Sequence, residues 1–295
     1  SEINGIALVR TFLAKAQKEN LTENLKGSIV VIPVIHISGF NEMNRCVPED
    51  KRDPNRAFGK DPIKSFSEAL AERLTTQIFS KCSLGIDCHD AGASTLLMPH
   101  VRIHKDDPEG VNRALGRAFG TKVLIKRKAN QHMMAEHLRI KYNVPVITVE
   151  IGGAQVIDDE AINEGVQGIY NILIHTKMLK EGTMKIPKKQ FFLTDRIGIK
   201  TSQGGEIHID RKLGEYVESG DEIGWIHFPQ TQKTEILRAP TCGFVFAKWI
   251  RNQIPKNGTM YGILEDKSCP IAKSEALEEL DQVPEFSIRK HNFSG

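Results

Sequence analysis

Over about its first 180 residues, the chain alternates between continuous apolar runs and amphipathic stretches. Residues 27–35 (GSIVVIPVI) and 144–153 (VPVITVEIGG) consist mainly of apolar, largely β-branched residues, which is typical of strands that are buried on both faces. Residues 2–18 and 65–80 instead carry their apolar side chains at helical spacing. The alternation predicts an α/β fold with a mixed, largely parallel sheet that is flanked by helices.

Three further helices and a short strand complete the predicted α/β region. The helices are expected at 109–119, 129–142 and 158–180, and the strand is expected at 83–92. Residues 36–62 are polar, rich in Pro, Asn and Asp, and without hydrophobic periodicity. A loop of that length within a compact domain is uncommon and is usually functional.

The character of the sequence changes after residue 180. Residues 180–189 are typical of a linker, and residues 190–266 contain short apolar runs separated by turn residues, which predicts a small all-β domain. Residues 267–295 are charged and form a C-terminal tail. These boundaries leave residues 1–185 as the first domain.

The composition excludes several classes of protein. The chain carries 40 Lys and Arg against 37 Asp and Glu, a net charge of +3, and nothing in their distribution indicates a nucleic-acid partner. No stretch approaches the roughly 18 consecutive apolar residues of a membrane span. The five cysteines are widely spaced and include no CxxC pair, which indicates neither a zinc knuckle nor a disulfide framework. A reducing cytoplasm is therefore the simplest compartment.

Polar residues follow the predicted strands at the edge where α/β sheets bind ligands. A carboxylate in a strand buried on both faces costs free energy unless it is paired or bound to a metal, so Glu150 is a functional candidate. Asp87 and His89 come at the end of the strand at 83–92, and alone His89 is slightly more typical of a histidine with ordinary hydrogen-bond partners. The histidines that we interpret as ordinary are His36, His100, His104, His132 and His137.

Three arginines and an asparagine lie within a dozen residues of the long loop. Singly, Arg45, Arg52 and Arg56 are typical of surface charges. Together with Asn55 they indicate a site for a carboxylate or a phosphate, because a guanidinium group binds these anions through two parallel hydrogen bonds.

Four motifs, in this order and spacing, resemble one known family. They are INGI at 3–6, DPNRAF at 53–58, IDCHDAG at 86–92 and VITVEIGG at 146–153. Together they are similar to the succinylglutamate desuccinylase/aspartoacylase family, which belongs to the clan of zinc carboxypeptidases. The resemblance extends over nearly the whole chain and implies a zinc-carboxypeptidase-like catalytic domain.

The resemblance implies one zinc ion per chain, with Glu2 and His89 as ligands and Asp87 orienting His89. The family's other histidine ligand lies three residues before the glutamate, which is ahead of Ser1. We therefore expect residues 1–185 to be a catalytic domain truncated at its N-terminus; the alternative is a true loss of that ligand.

The resemblance also implies roles for residues of the loop and of the last strand. Glu150 matches the catalytic glutamate, which moves protons as a general base and acid. Arg45 matches the arginine that stabilises the oxyanion, with Arg52 as a second candidate. Asn55 and Arg56 match the pair that binds the substrate carboxylate.

The implied activity is a zinc-dependent amidohydrolase that cleaves a small N-acylated amino acid or a related compound. Two alternatives stay open: a carboxypeptidase-like metallopeptidase, and a metal-free binding protein. The implied partner is a small molecule and neither nucleic acid nor membrane, and a homo-oligomer is possible. Residues 190–266 resemble a barrel-sandwich module of the lipoyl type, which in the family limits substrate size; a role in stability or oligomerisation is the alternative.

Overall fold

The structure is a computed structural model that describes residues 2–266, apart from 93, 105, 106, 108, 128, 129, 194 and 195, together with residues 278 and 279. The helices in this part of the chain are α1 (Ile3–Lys18), α2 (Leu21–Asn24), α3 (Ile37–Asn41), α4 (Phe66–Gln77), α5 (Val111–Phe119), α6 (Met134–Tyr142) and α7 (Asp159–His175). The strands are β1 (Gly85–His89), β2 (Thr95–His104), β3 (Val123–Arg127), β4 (Val146–Gly153), β5 (Phe191–Leu193), β6 (Arg196–Lys200), β7 (Gly205–Ile209), β8 (Tyr216–Val217), β9 (Glu222–Phe228), β10 (Lys233–Arg238), β11 (Gly243–Trp249), β12 (Gln253–Ile254), β13 (Thr259–Glu265) and β14 (Glu278–Glu279).

The larger sheet has ten strands and is mixed. Its main path runs β14-β5-β3-β2-β11-β13-β6, while β4 pairs with β2 and β1, and β8 pairs with β11. The pairs β1–β4, β2–β3 and β3–β5 are parallel, and β2 is antiparallel to β4. The strands after β5 add only antiparallel pairs to this sheet among the described residues. The fold is therefore mixed α/β, with a large mixed sheet and helices.

Helical periodicity predicts the long helices correctly. α1, α4 and α7 lie within the predicted ranges 2–18, 65–80 and 158–180. Ser65 is the N-cap of α4, since its hydroxyl oxygen accepts a hydrogen bond from the backbone N–H of Glu68 at 3.3 Å.

The prediction of a strand at 27–35 is wrong. In the described structure, residues 28–35 make no backbone hydrogen bond to another segment. Ile29 and Val31 still pack against the main core, whereas Val30 is 60% exposed. The β-branched composition therefore gives an extended, half-buried segment, but a strand also requires a neighbouring backbone to pair with.

The strand β2 has no counterpart among the predicted elements, although it lies at the centre of the larger sheet. Its sequence TLLMPHVRIH contains Pro99, which argues against a central strand because proline donates no hydrogen bond. The structure places Pro99 at a register shift of the β2–β4 ladder, between Leu97 and His100. An irregularity of this kind accommodates a proline that a regular ladder would reject.

Helix α1 packs directly on β1 and on α7. At Gly5 an added Cβ atom would lie 2.5 Å from the carbonyl oxygen of Cys88, so only glycine allows this approach of helix and strand. Leu8 is fully buried in the main core, and Phe12 meets Tyr170 of α7 edge to face, with ring centroids 5.8 Å apart. The first turn of α1 is thereby held against the carboxyl end of β1.

The C-terminal strands form a second, four-stranded sheet in the order β10-β9-β7-β12 and also extend the larger sheet through the β2–β11 pair. The boundary predicted near residues 185–190 is therefore crossed by a continuous ladder, and the predicted tail, except for residues 278 and 279, lies outside the described residues. Cys242 is disulfide-bonded, although the cysteine spacing indicates no disulfide framework. Within the described residues, no helix has the length and apolar character needed to cross a membrane.

Candidate active site

Glu2 lies immediately before α1, where the helix meets the end of β1. The backbone N–H and the Nδ2 of the fully buried Asn4 both donate to Oδ2 of Asp90, at 3.0 and 3.2 Å. The Oδ1 atom of Asn4 accepts from the backbone N–H of Asp158 at 3.0 Å. Because Asp90 follows His89 in the chain, these bonds hold Glu2 beside His89.

The imidazole of His89 lies between two carboxylates. Its Nδ1 is 2.5 Å from Oε2 of Glu2, and its Nε2 is 3.0 Å from Oδ2 of Asp87 and 3.5 Å from Nδ2 of Asn55. Burial lowers the pKa of His89, but the charges and hydrogen bonds of Asp87 and Glu2 outweigh it and raise this pKa well above its ordinary value. His89 is therefore the centre of a polar cluster.

Arg45 connects this cluster to the long loop. Its Nη1 donates to Oε1 of Glu2 at 2.9 Å, and its Nε donates to Oδ2 of Asp53 at 3.0 Å. Burial raises the pKa of Glu2, but the hydrogen bond and charge of His89 and the charge of Arg45 lower it to about 2. The Arg45 side chain stays 55% exposed, so its cation faces both the cluster and solvent.

Asn55 and Arg56 lie on a short 3-10 helix, Pro54–Arg56, whose N-cap is Asp53. Asn55 is fixed at both ends of its amide: Oδ1 accepts from the backbone N–H of Met134 at 2.9 Å, and Nδ2 faces His89. Arg56 donates from Nη1 to the carbonyl oxygen of Asn55 at 2.7 Å and is otherwise largely exposed.

Arg52 lies apart from the His89 cluster. Its Nη1 donates to Oε1 of Glu68 on α4 at 2.8 Å. Together with Arg56, Lys60 and Lys64, it lines an open cavity beside the cluster. The lining also includes the acidic Asp53, Asp61 and Glu68, so the cavity has a small net positive charge. Among the loop arginines, Arg45 is thus the one that contacts Glu2, and Arg52 is not.

Glu150 lies on β4, directly beside His89 in the parallel β1–β4 ladder. It is only 4% exposed and forms an ion pair between its Oε1 and Nη1 of Arg102. Burial raises the pKa of Glu150, and the positive charge of Arg102 opposes this increase. A buried carboxylate next to a histidine in the adjacent strand is well placed to exchange protons with a bound molecule.

Sequence reasoning missed Arg102 and gave His100 little weight. Arg102 donates from Nε to Nε2 of His100 at 3.2 Å, and His100 is fully buried. The available signal was the alternation of polar residues His100, Arg102 and His104 along one run, which is typical of one face of a strand. His104 lies apart from Glu150 and pairs with Glu136.

The side chains present supply two donors suited to a zinc ion. Glu2 and His89 direct a carboxylate oxygen and a ring nitrogen at each other, and Asp87 holds the opposite ring nitrogen, as carboxylates commonly do for histidine ligands. Among the described residues, no group of three His, Cys, Asp or Glu is arranged to hold a metal ion. The donor set therefore fits two positions of a zinc site.

The chain is similar to one known family and to a curated protein. The model of the succinylglutamate desuccinylase/aspartoacylase catalytic domain matches residues 1–176. The N-alpha-acetyl-L-2,4-diaminobutyric acid deacetylase of Halomonas elongata is 23% identical over 225 residues, which cover 74% of this chain. The chain spans about two thirds of that relative, 66% of its length.

Solved structures share the fold. The succinylglutamate desuccinylase/aspartoacylase from Rhodobacter sphaeroides superposes with a TM-score of 0.75 at 22% identity, over 90% of this chain and 82% of that one. The product-bound ectoine utilization protein EutE (DoeB) from Ruegeria pomeroyi superposes with a TM-score of 0.74 at 19% identity, over 89% and 81% of the two chains. Because the catalytic-domain match covers more than half of its residues, the chain belongs to the succinylglutamate desuccinylase/aspartoacylase family.

Proposed function

We propose that the protein is a zinc-dependent amidohydrolase that removes an acyl group from a small N-acylated amino acid or a related compound. The observation that carries this proposal is the position of the buried Glu150 beside His89, which itself contacts Glu2. Glu2 and His89 are the residues that would hold the metal. When bound, zinc supplies Lewis-acid polarisation of the amide carbonyl and of the attacking water.

Glu150 is the proton carrier in this proposal. Its carboxylate accepts a proton from the attacking water and then donates that proton to the leaving amine nitrogen. Burial supports the role, because a raised pKa makes the carboxylate a stronger base toward the attacking water than an exposed one would be. The positive charge of Arg102 favours the ionised form, which the group needs before the reaction.

The loop residues bind and polarise the substrate. Arg45 stabilises the negative charge that develops on the carbonyl oxygen, which its contact with Glu2 and its exposed guanidinium support. Asn55 and Arg56 bind the carboxylate of the amino acid part; the amide of Asn55 is held rigidly by Met134. Arg52 lines the neighbouring cavity and is a further candidate for anion contact.

The curated relative indicates which acyl group should be tested first. The curated relative is a deacetylase of an N-acetylated diamino acid, so we propose acetyl as the leading acyl group.

The C-terminal β strands, which we propose form a barrel-sandwich module, join the larger sheet through β11 and β2. Because β2 also carries Arg102, this junction connects the C-terminal strands to the ion pair of Glu150.

The decisive experiment combines the Glu150→Gln substitution with an activity screen over acetyl-, succinyl- and other N-acyl amino acids. We expect the wild-type protein to hydrolyse at least one compound, and Glu150→Gln to abolish hydrolysis while zinc content stays near one per chain. Glu136→Gln is the matched control, since Glu136 is also a buried, ion-paired glutamate but contacts His104 and Arg139. Full activity of Glu150→Gln would contradict the mechanism.

The same screen separates the two alternatives. A carboxypeptidase-like enzyme would cleave dipeptides in preference to N-acyl amino acids. A metal-free binding protein would bind such compounds without turnover and without zinc.

A further inference from the structure

A chain of contacts runs along β2 to the carboxylate of Glu150. The Nδ1 atom of His100 lies 2.9 Å from the carbonyl oxygen of Met98, and its Nε2 lies 3.2 Å from Nε of Arg102. Arg102 in turn forms the ion pair with Oε1 of Glu150 through Nη1. Three side chains on two adjacent strands are thus joined end to end.

The direction of each hydrogen bond follows from the chemistry of the groups. A guanidinium has only N–H donors, so Nε2 of His100 must accept from Arg102. The other ring nitrogen then carries the hydrogen and donates to the carbonyl oxygen of Met98. Burial and the charge of Arg102 lower the pKa of His100 well below its ordinary value, so the ring is neutral as this arrangement requires.

The scaffold around this chain is rigid. His100 is fully buried, and its ring meets Phe246 of β11 edge to face at 4.8 Å. In the antiparallel β2–β4 ladder, His100 lies opposite Glu150. Because a guanidinium is planar, fixing its Nε on His100 also fixes the direction in which Nη1 points.

Only one oxygen of Glu150 is used by these contacts. Oε1 is held by Arg102, whereas Oε2 has no recorded contact with the described residues. A proton carrier requires one oxygen free to reach the reacting atoms and a fixed orientation of the carboxylate plane.

We propose that Arg102, aligned by the neutral His100, is a positioning residue that orients the carboxylate of Glu150 for proton transfer. The proposal rests on the proposed hydrolase function of Glu150. It assigns His100 and Arg102 a role through Glu150 and not through contact with the substrate.

The first test compares arginine variants. Arg102→Met removes the ion pair, and we expect kcat to fall about 100-fold with KM within about twofold, because a misplaced proton carrier slows the chemical step more than binding. Arg102→Ala should regain part of its kcat when guanidinium ion is added, and Arg102→Lys should retain more activity than Arg102→Met. The control is Arg127→Met, which removes a nearby positive charge that acts on Glu150 through its charge but, among the described residues, forms no hydrogen bond or ion pair with it.

The second test separates alignment by His100 from packing. His100→Gln offers an amide oxygen that can accept from Arg102, whereas His100→Leu fills similar space without an acceptor. We expect His100→Leu to lose about tenfold more kcat than His100→Gln at similar thermal stability, the loss expected for one hydrogen bond. Equal kcat values in the two variants would argue for a packing role alone.

A third measurement needs no substrate and so keeps the proposal apart from the proposed function. The Nε–H resonance of Arg102, assigned by its absence in Arg102→Lys, should shift in both His100→Leu and Glu150→Gln. If the wild-type protein hydrolyses no N-acyl amino acid, the proposed function fails whatever this signal does. Two results would overturn the positioning role. The first is an active wild type whose kcat is unchanged in Arg102→Met. The second is an Nε–H resonance that shifts in neither His100→Leu nor Glu150→Gln. Should Arg102→Met fold poorly, Arg102→Lys and the resonance provide the test.

Discussion

The Nδ1 atom of His89 lies 2.5 Å from Oε2 of Glu2, although 87 positions separate the two residues in the chain. At this distance a proton lies between the two atoms, and the raised pKa of His89 favours the protonated ring. A divalent cation that binds both atoms must therefore displace that proton. Binding of the proposed zinc ion and protonation of the ring would thus compete at this contact.

We predict that zinc binding at this contact is pH-dependent and releases protons. Because the raised pKa of His89 favours the protonated ring, the affinity for zinc should rise from pH 6 to pH 8. Calorimetric titration in buffers of different ionisation enthalpy measures both quantities. His89→Ala should lose the pH dependence of zinc affinity, whereas His227→Ala, on the distant β9, should keep it. Equal zinc affinities of the wild type at pH 6 and pH 8 would contradict the prediction.

The two candidates for the oxyanion arginine can be separated by activity. Arg45 donates to Glu2 at 2.9 Å, whereas Arg52 donates to Glu68 at 2.8 Å. We expect Arg45→Met to lower kcat about 100-fold or more, as removal of an oxyanion donor does, and Arg52→Met to have a small effect. Steady-state kinetics of both variants decide between them, and the reverse order would assign the role to Arg52.

Arg56 should contribute to binding more than to chemistry. Within the described residues, its guanidinium contacts only the carbonyl oxygen of Asn55 and, at 3.9 Å, the carboxylate of Asp53, which leaves donors for a substrate carboxylate. We expect Arg56→Met to raise KM about 10-fold to 100-fold with little change in kcat, the loss of one charged hydrogen-bonded contact. An N-acyl amine without a carboxylate is the control compound, and it should be hydrolysed equally by both proteins.

The meeting of His89 and Glu150 is the part of the site that sequence reasoning predicts well. His89 ends β1 and Glu150 lies in the second half of β4, and neighbouring parallel strands run toward the same edge of a sheet. The observed β1–β4 ladder pairs the two residues directly. No knowledge of distant contacts is needed beyond the assumption that the two strands are neighbours.

Other parts of the site depend on contacts that no local pattern contains. The ion pair of Arg102 with Glu150 requires the antiparallel register of β2 and β4. The sequence does not predict β2, because Pro99 argues against a central strand. The strand predicted at 27–35 fails for the opposite reason. Its composition suits a strand, but within the described residues it meets no backbone to pair with. Composition thus predicts the tendency of a segment to form a strand, whereas the fold decides whether a neighbouring backbone is there to pair with it.

The close approach of α1 to β1 should be intolerant of a side chain at Gly5. An added Cβ atom would lie 2.5 Å from the carbonyl oxygen of Cys88, which belongs to the backbone and cannot rotate away. We expect Gly5→Ala to lower the free energy of unfolding by about 3 kcal/mol. Gly198→Ala is the control, because its Cβ atom would meet only Thr259 at 3.5 Å. Denaturant unfolding of both variants measures the difference, and equal stabilities would show that α1 can shift without cost.

The first turns of α7 predict a pH dependence of stability. Burial, together with the negative charges of Glu160 and Asp158, raises the pKa of Glu164 from 4.5 to about 7. The folded protein therefore binds a proton that the unfolded chain has already lost, so stability declines as the pH rises from about 4.5 through 7.

Removing this charge should stabilise the protein only at higher pH. Glu164→Gln avoids the cost of ionising a partly buried carboxyl group. We expect its free energy of unfolding to exceed that of the wild type by about 2 kcal/mol at pH 8.5. This difference is smaller than the whole pKa shift would give, because the side chain keeps some contact with solvent. At pH 4 the wild-type carboxyl is protonated in both states, so the two proteins should unfold alike. Glu23→Gln, on an exposed position of α2, is the control and should show the same difference from wild type at both pH values. A Glu164→Gln protein whose advantage is unchanged between pH 4 and pH 8.5 would mean that Glu164 ionises as freely in the fold as in the unfolded chain.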